Sequence, residues 1–301
     1  MSASRTHDVT VLGSLNLDVI IGVDLVPGAG ETVLATAREE GPGGKGLNQA
    51  VAVARAGAAT AMVGAVGADD AAQVLLDAAG RSGVDISSVR RVPGASGTAW
   101  VMVQGDGDNA IVVDSAANGT LDALTADERR IVAGGRLLVA QLETPLPAVT
   151  EAAAVARAAE VLFVLNAAPA QTLSAELLDL VDVLVVNEHE ARHLTAGTDP
   201  GEAARILQRQ VGAVVVTLGA HGALVVDDAG PRTVPGIPAE AVDTTGAGDT
   251  FTGFLAAALA AGASLDDGCA RAVVAGALAV ETAGAIASIP TRDQVDDRMG
   301  R

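Results

Sequence analysis

The feature that most constrains this chain is a rhythm. Short runs of apolar, mostly β-branched residues recur at 9–12, 61–66, 137–141, 161–165, 183–186 and 213–218. Each run is continuous rather than alternating, as expected of strands covered on both faces. Ala/Leu-rich helical stretches lie among them, at 46–56, 70–82, 145–159 and 202–210. Strands separated by such helices cross over and pair in parallel. The rhythm therefore predicts an α/β fold, with a mainly parallel central sheet and helices on both faces.

The residue usage fits stacked layers. Half of the 301 residues are apolar, but nearly all are Ala, Val, Leu and Ile, with three Phe, one Trp and no Tyr. A core of small aliphatics needs many close helix–sheet contacts. The length allows one large α/β domain or two modest ones, and no repeat, low-complexity tract or flexible linker divides it.

Two regions break the rhythm. Residues 18–40 hold an apolar run, then Pro27-Gly28-Ala29-Gly30, then a second run. Residues 97–115 read as a hairpin with its turn at 104–109. Together they predict a small antiparallel sheet set into the parallel domain, a lid over a cleft. In that hairpin Trp100 points away from the cleft, by alternation with Ala99 and Val101. A further hairpin follows the strand near 215, turning at Asp227-Asp228-Ala229-Gly230.

Net charge is −18. An acidic surface repels nucleic-acid backbones and anionic membranes, so neither is expected as a partner. The N-terminus lacks an apolar signal core, and the Ala-rich stretch 253–263 is too short to span a bilayer. A soluble, cytoplasmic protein is expected. Cys269 is alone and reads as a small helical apolar residue rather than a reactive thiol.

Several short segments carry chemistry. Asp243-Thr244-Thr245-Gly246-Ala247-Gly248-Asp249-Thr250-Phe251 is a small-residue turn opening onto a helix. Such a helix start presents unpaired N–H groups and positive dipole, a site for anionic oxygens. Asp249 is then either a helix cap or a base beside a phosphate. Gly41-Pro42-Gly43-Gly44-Lys45-Gly46 also leads into a helix and matches G-x-G-x-x-G. No core strand precedes it and no ribose-binding acid follows, so a dinucleotide fold is not indicated. Nor is it a P-loop, because Gly46 follows Lys45. Asn16 and Asp18 share one face of an extended segment, as turn residues or as a grip on adjacent hydroxyls. Glu143 stands just past a strand's C-terminal end, where open α/β sheets bind ligands.

His189-Glu190-Ala191-Arg192-His193 matches the H-E-x-x-H pattern of zinc peptidases. That reading lacks a third ligand, since Glu202 lies past Pro200-Gly201 and His7 and His221 have no spacing relation to the pair. It is kept only as a remote alternative.

The motifs Gly43-Gly44-Lys45-Gly46-x-Asn48-Gln49-Ala50 and Asp243–Phe251 together resemble the two signatures of the ribokinase-like (PfkB) carbohydrate kinases. The resemblance spans nearly the whole chain, from Leu12-Gly13-Ser14 to Gly284-x-x-x-Ser288-Ile289-Pro290. It implies a single three-layer domain over 1–301, with a discontinuous β lid formed by about 15–42 and 96–115. It implies ATP-dependent phosphorylation of a sugar, ribose at its 5-hydroxyl first and deoxyribose, another sugar or a nucleoside as alternatives. A sugar sensor would require a damaged site, and this one is intact. Asp249 is implied as base, with the amides of Gly246, Ala247 and Gly248 as anion hole. The implied sugar contacts are Asn16, Asp18, Gly44, Lys45, Asn48 and Glu143, with Ala99, Val101 and Val113 closing over the ring. Those to ATP are Asn187, Thr217, Leu218, Gly219, Ala220, His221, Gly222 and Gly248. A potassium site is implied at Asp243 and Ser288 with carbonyls of Thr245, Ala279, Thr282 and Gly284. Glu190 organises Mg²⁺ indirectly, with Asn187, which would leave the two histidines incidental. Val273 stands where a histidine often meets the adenine. A homodimer through the lid is the implied assembly.

Overall fold

The computed structural model describes residues 5–105, 109–197 and 199–300. Residues 106–108, in the turn expected at 104–109, lie outside them. In chain order the strands are β1 (Val9–Leu12), β2 (Asn16–Val23), β3 (Ala37–Gly43), β4 (Thr60–Val66), β5 (Asp85–Arg91), β6 (Gly97–Gln104), β7 (Asn109–Asp114), β8 (Leu137–Ala140), β9 (Leu162–Asn166), β10 (Val183–Asn187), β11 (Ala213–Thr217), β12 (Gly222–Asp227) and β13 (Gly230–Pro235).

Nine strands form one sheet in the order β13-β12-β11-β10-β9-β8-β1-β4-β5. The seven from β11 to β5 run parallel, and β12 and β13 add an antiparallel hairpin in which Asp227 pairs with Gly230. All six apolar runs became strands of this sheet. Their continuity has a direct cause. Val9, Val11, Val139 and Val215 face one buried cluster, whereas Leu12, Leu138, Leu165 and Val214 face another on the opposite side. β5 carries no such run. Its Asp-Ile-Ser-Ser-Val-Arg-Arg is half-solvated at the sheet edge, where polar and charged residues discourage further pairing.

The four remaining strands form a second sheet in the order β3-β2-β6-β7. Its outer pairs are antiparallel, as expected, but the central pair β2–β6 is parallel. The reason lies in the large sheet. β2 and β6 leave the C-terminal ends of two parallel strands, β1 and β5, and so set out in the same direction.

Two helices bring the signature motifs together. Lys45–Arg55 and Ala247–Ala260 lie side by side over the first core cluster, touching at Gly253. A Cβ there would stand 2.4 Å from the Ala52 Cβ and 2.9 Å from the Gln49 carbonyl, so only glycine permits this approach. Phe254, fully buried one residue on, anchors the pair. Burying such a side chain contributes about 1.5–3 kcal/mol.

Cys269 is buried in helix Leu265–Ala279, and burial pushes its thiol up to about 12, as suits a packing residue. Among the described residues no helix is long and apolar enough to cross a membrane.

Candidate active site

Helix Ala247–Ala260 starts at Gly246, whose φ of 76° lies in the left-handed region that favours glycine. No side chain caps this end. The first N–H groups of a helix have no intrahelical acceptor. Here Ala247 N–H donates to the Thr244 carbonyl at 3.3 Å, and no described group accepts from Gly248 N–H. Open space surrounds Gly248, with nothing within 4 Å of where a Cβ would stand.

Asp249 occupies the first turn, buried, and it is not the cap. Its Oδ2 accepts from Asn48 Nδ2 at 3.0 Å and its Oδ1 from Gln49 Nε2 at 2.9 Å. The cap reading fails because the chain enters the helix through a bare glycine three residues earlier. The carboxylate is left for other chemistry.

The facing helix begins at Gly44 and Lys45. Glu143 Oε2 accepts from Ser14 Oγ at 2.5 Å, Lys45 N–H at 3.1 Å and Asn16 Nδ2 at 3.4 Å. Asn16 is oriented from behind by Asn118, whose Nδ2 donates to the Asn16 Oδ1 at 2.8 Å while its Oδ1 accepts from Leu15 N–H. Asp18 lies two residues along the same strand and pairs across β6 with Ala99, which pairs with Val113. Asp18, Ala99, Val101 and Val113 therefore share one face of the small sheet. Trp100 takes the other face, as the alternation predicted.

The electrostatics follow from crowding. Burial, then repulsion from Glu143 and Asp249, raises the Asp18 carboxyl to about 7, with Lys45 pulling the other way. The attraction of Asp249 above all, reinforced by Glu143, Glu190 and Asp18, holds the Lys45 ammonium above its ordinary value despite burial. Burial raises the Glu190 carboxyl, opposed by the Asn187 backbone and Lys45. One cation thus serves four acids.

Beside the Gly248 turn lies a cavity of about 290 Å³. Thr217, Gly219, Ala220 and Gly222 line one side and Ala247, Gly248, Phe251 and Val273 the other. Leu218 and His221 do not line it. The first packs on the second core cluster and the second is exposed. Asn187 ends β10 beside Thr217.

Asp243 draws a third cluster together. Its carboxylate accepts from the N–H groups of Thr245 at 2.9 Å and Gly284 at 2.8 Å. Burial would raise this carboxyl, but those backbone bonds from Gly284 and Thr245 outweigh it and hold it below the usual value. Ser288 Oγ donates to the Ala285 carbonyl and keeps its lone pairs. Ala279 and Thr282 are linked by a long backbone bond in the same region.

The zinc alternative does not survive. Glu190 forms a capping box with Asn187, its Oε2 accepting from Asn187 N–H at 2.8 Å while Asn187 Oδ1 caps Glu190 N–H. His189 and His193 are exposed on the other side of that short helix. Among the described residues no group of three His, Cys, Asp or Glu side chains could hold a metal.

Two residues at the site had escaped the sequence reading, Asn118 and Asn166. Ser14, Gln49 and Gln141 appeared only as parts of longer segments. A polar residue ending an apolar strand, as Gln141 and Asn166 do, was the available signal.

The chain as a whole is similar to known proteins. The model of the pfkB family carbohydrate kinases matches residues 6–292. A ribokinase of Haemophilus influenzae is 37% identical over 95% of this chain and 96% of its own length, and one of Bacillus subtilis 36% identical over 97% and 99%. The structure of Arabidopsis thaliana ribokinase complexed with ribose and ATP superposes with a TM-score of 0.91 at 33% identity, covering 97% of this chain and 98% of that one. With both glycine-started helices in place and the likeness running end to end, the chain belongs to the pfkB family of carbohydrate kinases.

Proposed function

We propose that this enzyme is an ATP-dependent ribose kinase that makes ribose 5-phosphate. The observation that carries the chemistry is Asp249, a buried carboxylate one turn inside an uncapped helix start and beside an open cavity. In this reading the sugar's primary hydroxyl attacks the γ-phosphorus of ATP and gives its proton to Asp249. The new P–O bond forms as the bond to the β–γ bridging oxygen breaks, and ADP leaves with that electron pair. The amides of Gly246, Ala247 and Gly248 and the helix dipole stabilise charge on the transferring oxygens, where phosphoryl transfer needs it most. The amide of Ala247 must loosen its hold on Thr244 to take part.

Asn16, Asp18, Gly44, Lys45, Asn48 and Glu143 form the sugar subsite, with Ala99, Val101 and Val113 over it. Carboxylates accept sugar hydroxyls well, and the Asn48 Oδ1, buried and unpaired, offers a further acceptor. The cavity holds the nucleotide, and Val273 gives its base an apolar wall. Leu218 and His221 support this pocket from outside it.

Two ions belong to the reading. Glu190 has one carboxylate oxygen beyond the capping box and lies near Lys45 and Asp249, a donor suited to Mg²⁺ through water. When bound, Mg²⁺ neutralises phosphate oxygens. Asp243, the Ser288 hydroxyl and the carbonyls of Thr245, Ala279, Thr282 and Gly284 are an all-oxygen set with one charge, which fits K⁺. That set adjoins the helix start through Thr245.

Exposed apolar residues on the small sheet and near it, Leu34, Trp100, Ile111 and Val112, suit a homodimer joined through the lid. A cytoplasmic setting, where ATP and K⁺ are abundant, completes the proposal. The test is ADP release with ribose, deoxyribose, hexoses and nucleosides at millimolar Mg²⁺, with and without K⁺. Ribose should give the highest kcat/KM. A higher value for another acceptor would move the assignment to it, and no turnover with any would defeat the kinase reading.

A further inference from the structure

Three side-chain amides lie beneath Asp249, and none of them lines the cavity beside Gly248. Gln49 and Gln141 are fully buried, and Asn166 is 7% exposed. A buried amide is costly unless paired, so three in a core of small aliphatics need a reason. Their hydrogen bonds form one chain with one polarity. It starts at the Val185 carbonyl, which can only accept, so Asn166 turns its Nδ2 there at 3.2 Å and its Oδ1 the other way. Gln49 Nε2 meets that Oδ1 at 2.9 Å and Asp249 Oδ1 at 2.9 Å. Both of its hydrogens thus lie on acceptors. Its Oε1 then accepts from Gln141 Nε2 at 2.6 Å, where the chain ends with the Gln141 Oε1 buried and unpartnered. A backbone carbonyl on β10 therefore dictates, through two amides, that a donor and not an acceptor faces Asp249.

We infer that Gln49 is a positioning residue for phosphoryl transfer, fixing the rotation of the Asp249 carboxylate by an amide that Asn166 and Gln141 hold in one orientation. This rests on Asp249 being the base. Asn48 bonds the other carboxylate oxygen, but it also borders the sugar subsite. Gln49 has no such second duty and acts on the reaction only through Asp249. Without it the carboxylate would be free to swing towards Lys45, on which Asp249 exerts the strongest attraction of the acids around it. A base that has turned away from the hydroxyl loses its reach.

The experiment compares Gln49→Met in the wild-type and Asp249→Asn backgrounds, with sugar KM, kcat and thermal melting for each. Gln49→Met should lower kcat about 10²-fold, the scale of a misplaced reacting group. Sugar KM should stay within roughly threefold, because uniform binding is untouched. In the Asp249→Asn background the same change should cost nothing further, since groups that act as a unit are not additive. Loss by the same factor in both backgrounds, a KM that rises in step, or wild-type kcat would each overturn the inference. Should Asp249→Asn itself keep normal kcat, the base assignment fails first, and that result is read separately. If Gln49→Met does not fold, Gln49→Leu also removes the donor and carries the same expectations. Gln141→Met, which touches only the far end of the chain, should lower kcat by a smaller factor that vanishes in Asp249→Asn. No change in kcat there would also count against the proposal.

Discussion

The two sheets are built from similar residues and put them to opposite uses. In the nine-stranded sheet Leu12, Leu138, Leu165 and Val214 are fully buried on one face and Val11, Val139 and Val215 on the other. In the four-stranded sheet the neighbours Ile111 and Val112 point to opposite faces, and each is 56% exposed. Helices cover the first sheet on both sides, whereas β7 is an edge strand that no described element covers. Apolar content alone therefore says little about burial; connectivity decides what arrives to cover a strand. The division also sorts the chemistry. Asp249 and its supports stand on the large sheet and its helices, whereas Asp18, Ala99, Val101 and Val113 stand on the smaller sheet.

That contrast can be broken at several points. The largest effect expected is at the scaffold's reacting group. Asp249→Asn should cut kcat about 10³-fold, the range of general-base catalysis, with sugar KM little changed in steady-state assays. A near-normal kcat would remove the scaffold from the chemistry. Next comes stability. Phe254→Ala should cost about 3–5 kcal/mol in urea unfolding, because the buried site cannot collapse around the cavity. Ile111→Ala should cost under about 0.5 kcal/mol in dilute protein, as exposed positions do. Similar costs would erase the distinction between the sheets.

A smaller effect concerns assembly. If the proposed lid dimer forms, the double change Ile111→Ser with Val112→Ser should weaken it at least about 10-fold, since each lost apolar contact is worth a few tenths to one or two kcal/mol. Sedimentation equilibrium at several concentrations measures it, and an unchanged dimer would place the interface elsewhere.

The smallest effect lies at the seam between the sheets. Asp18 is raised to about 7 by burial and by its acidic neighbours, so its protonated form prevails below that pH. A neutral carboxyl offers hydroxyls fewer acceptor positions than a carboxylate. Sugar KM should therefore fall a few-fold as pH rises through about 7, as the ionised form takes over. The trend should vanish in Asp18→Asn. A flat profile in the wild type would show that Asp18 is not read by the sugar.

How far the site could be read in advance depended on what each residue signals locally. The glycine turn before Asp249 and the Gly43–Gly46 run were visible because a helix start has a local grammar. Whether Asp249 was cap or base was not, because only Asn48 and Gln49, two hundred residues away, occupy its oxygens. Asn118 carried no pattern at all. Its role arises where the loop after β7 meets Leu15 and Asn16. β5 was missed for a related reason, since a half-solvated edge strand with two arginines and an aspartate looks like a loop.

The amino-acid order by itself determined the layered α/β architecture, because continuous apolar runs and helical stretches are local consequences of side-chain burial. It also determined the two anion-friendly helix starts, which need only small residues and a free backbone. Tertiary structure alone decided that those helices meet at Gly253, that β2 and β6 pair in parallel, and that one lysine serves four acids. Contacts between distant segments depend on how layers stack and which glycines let them close, and no local stretch of chain encodes that.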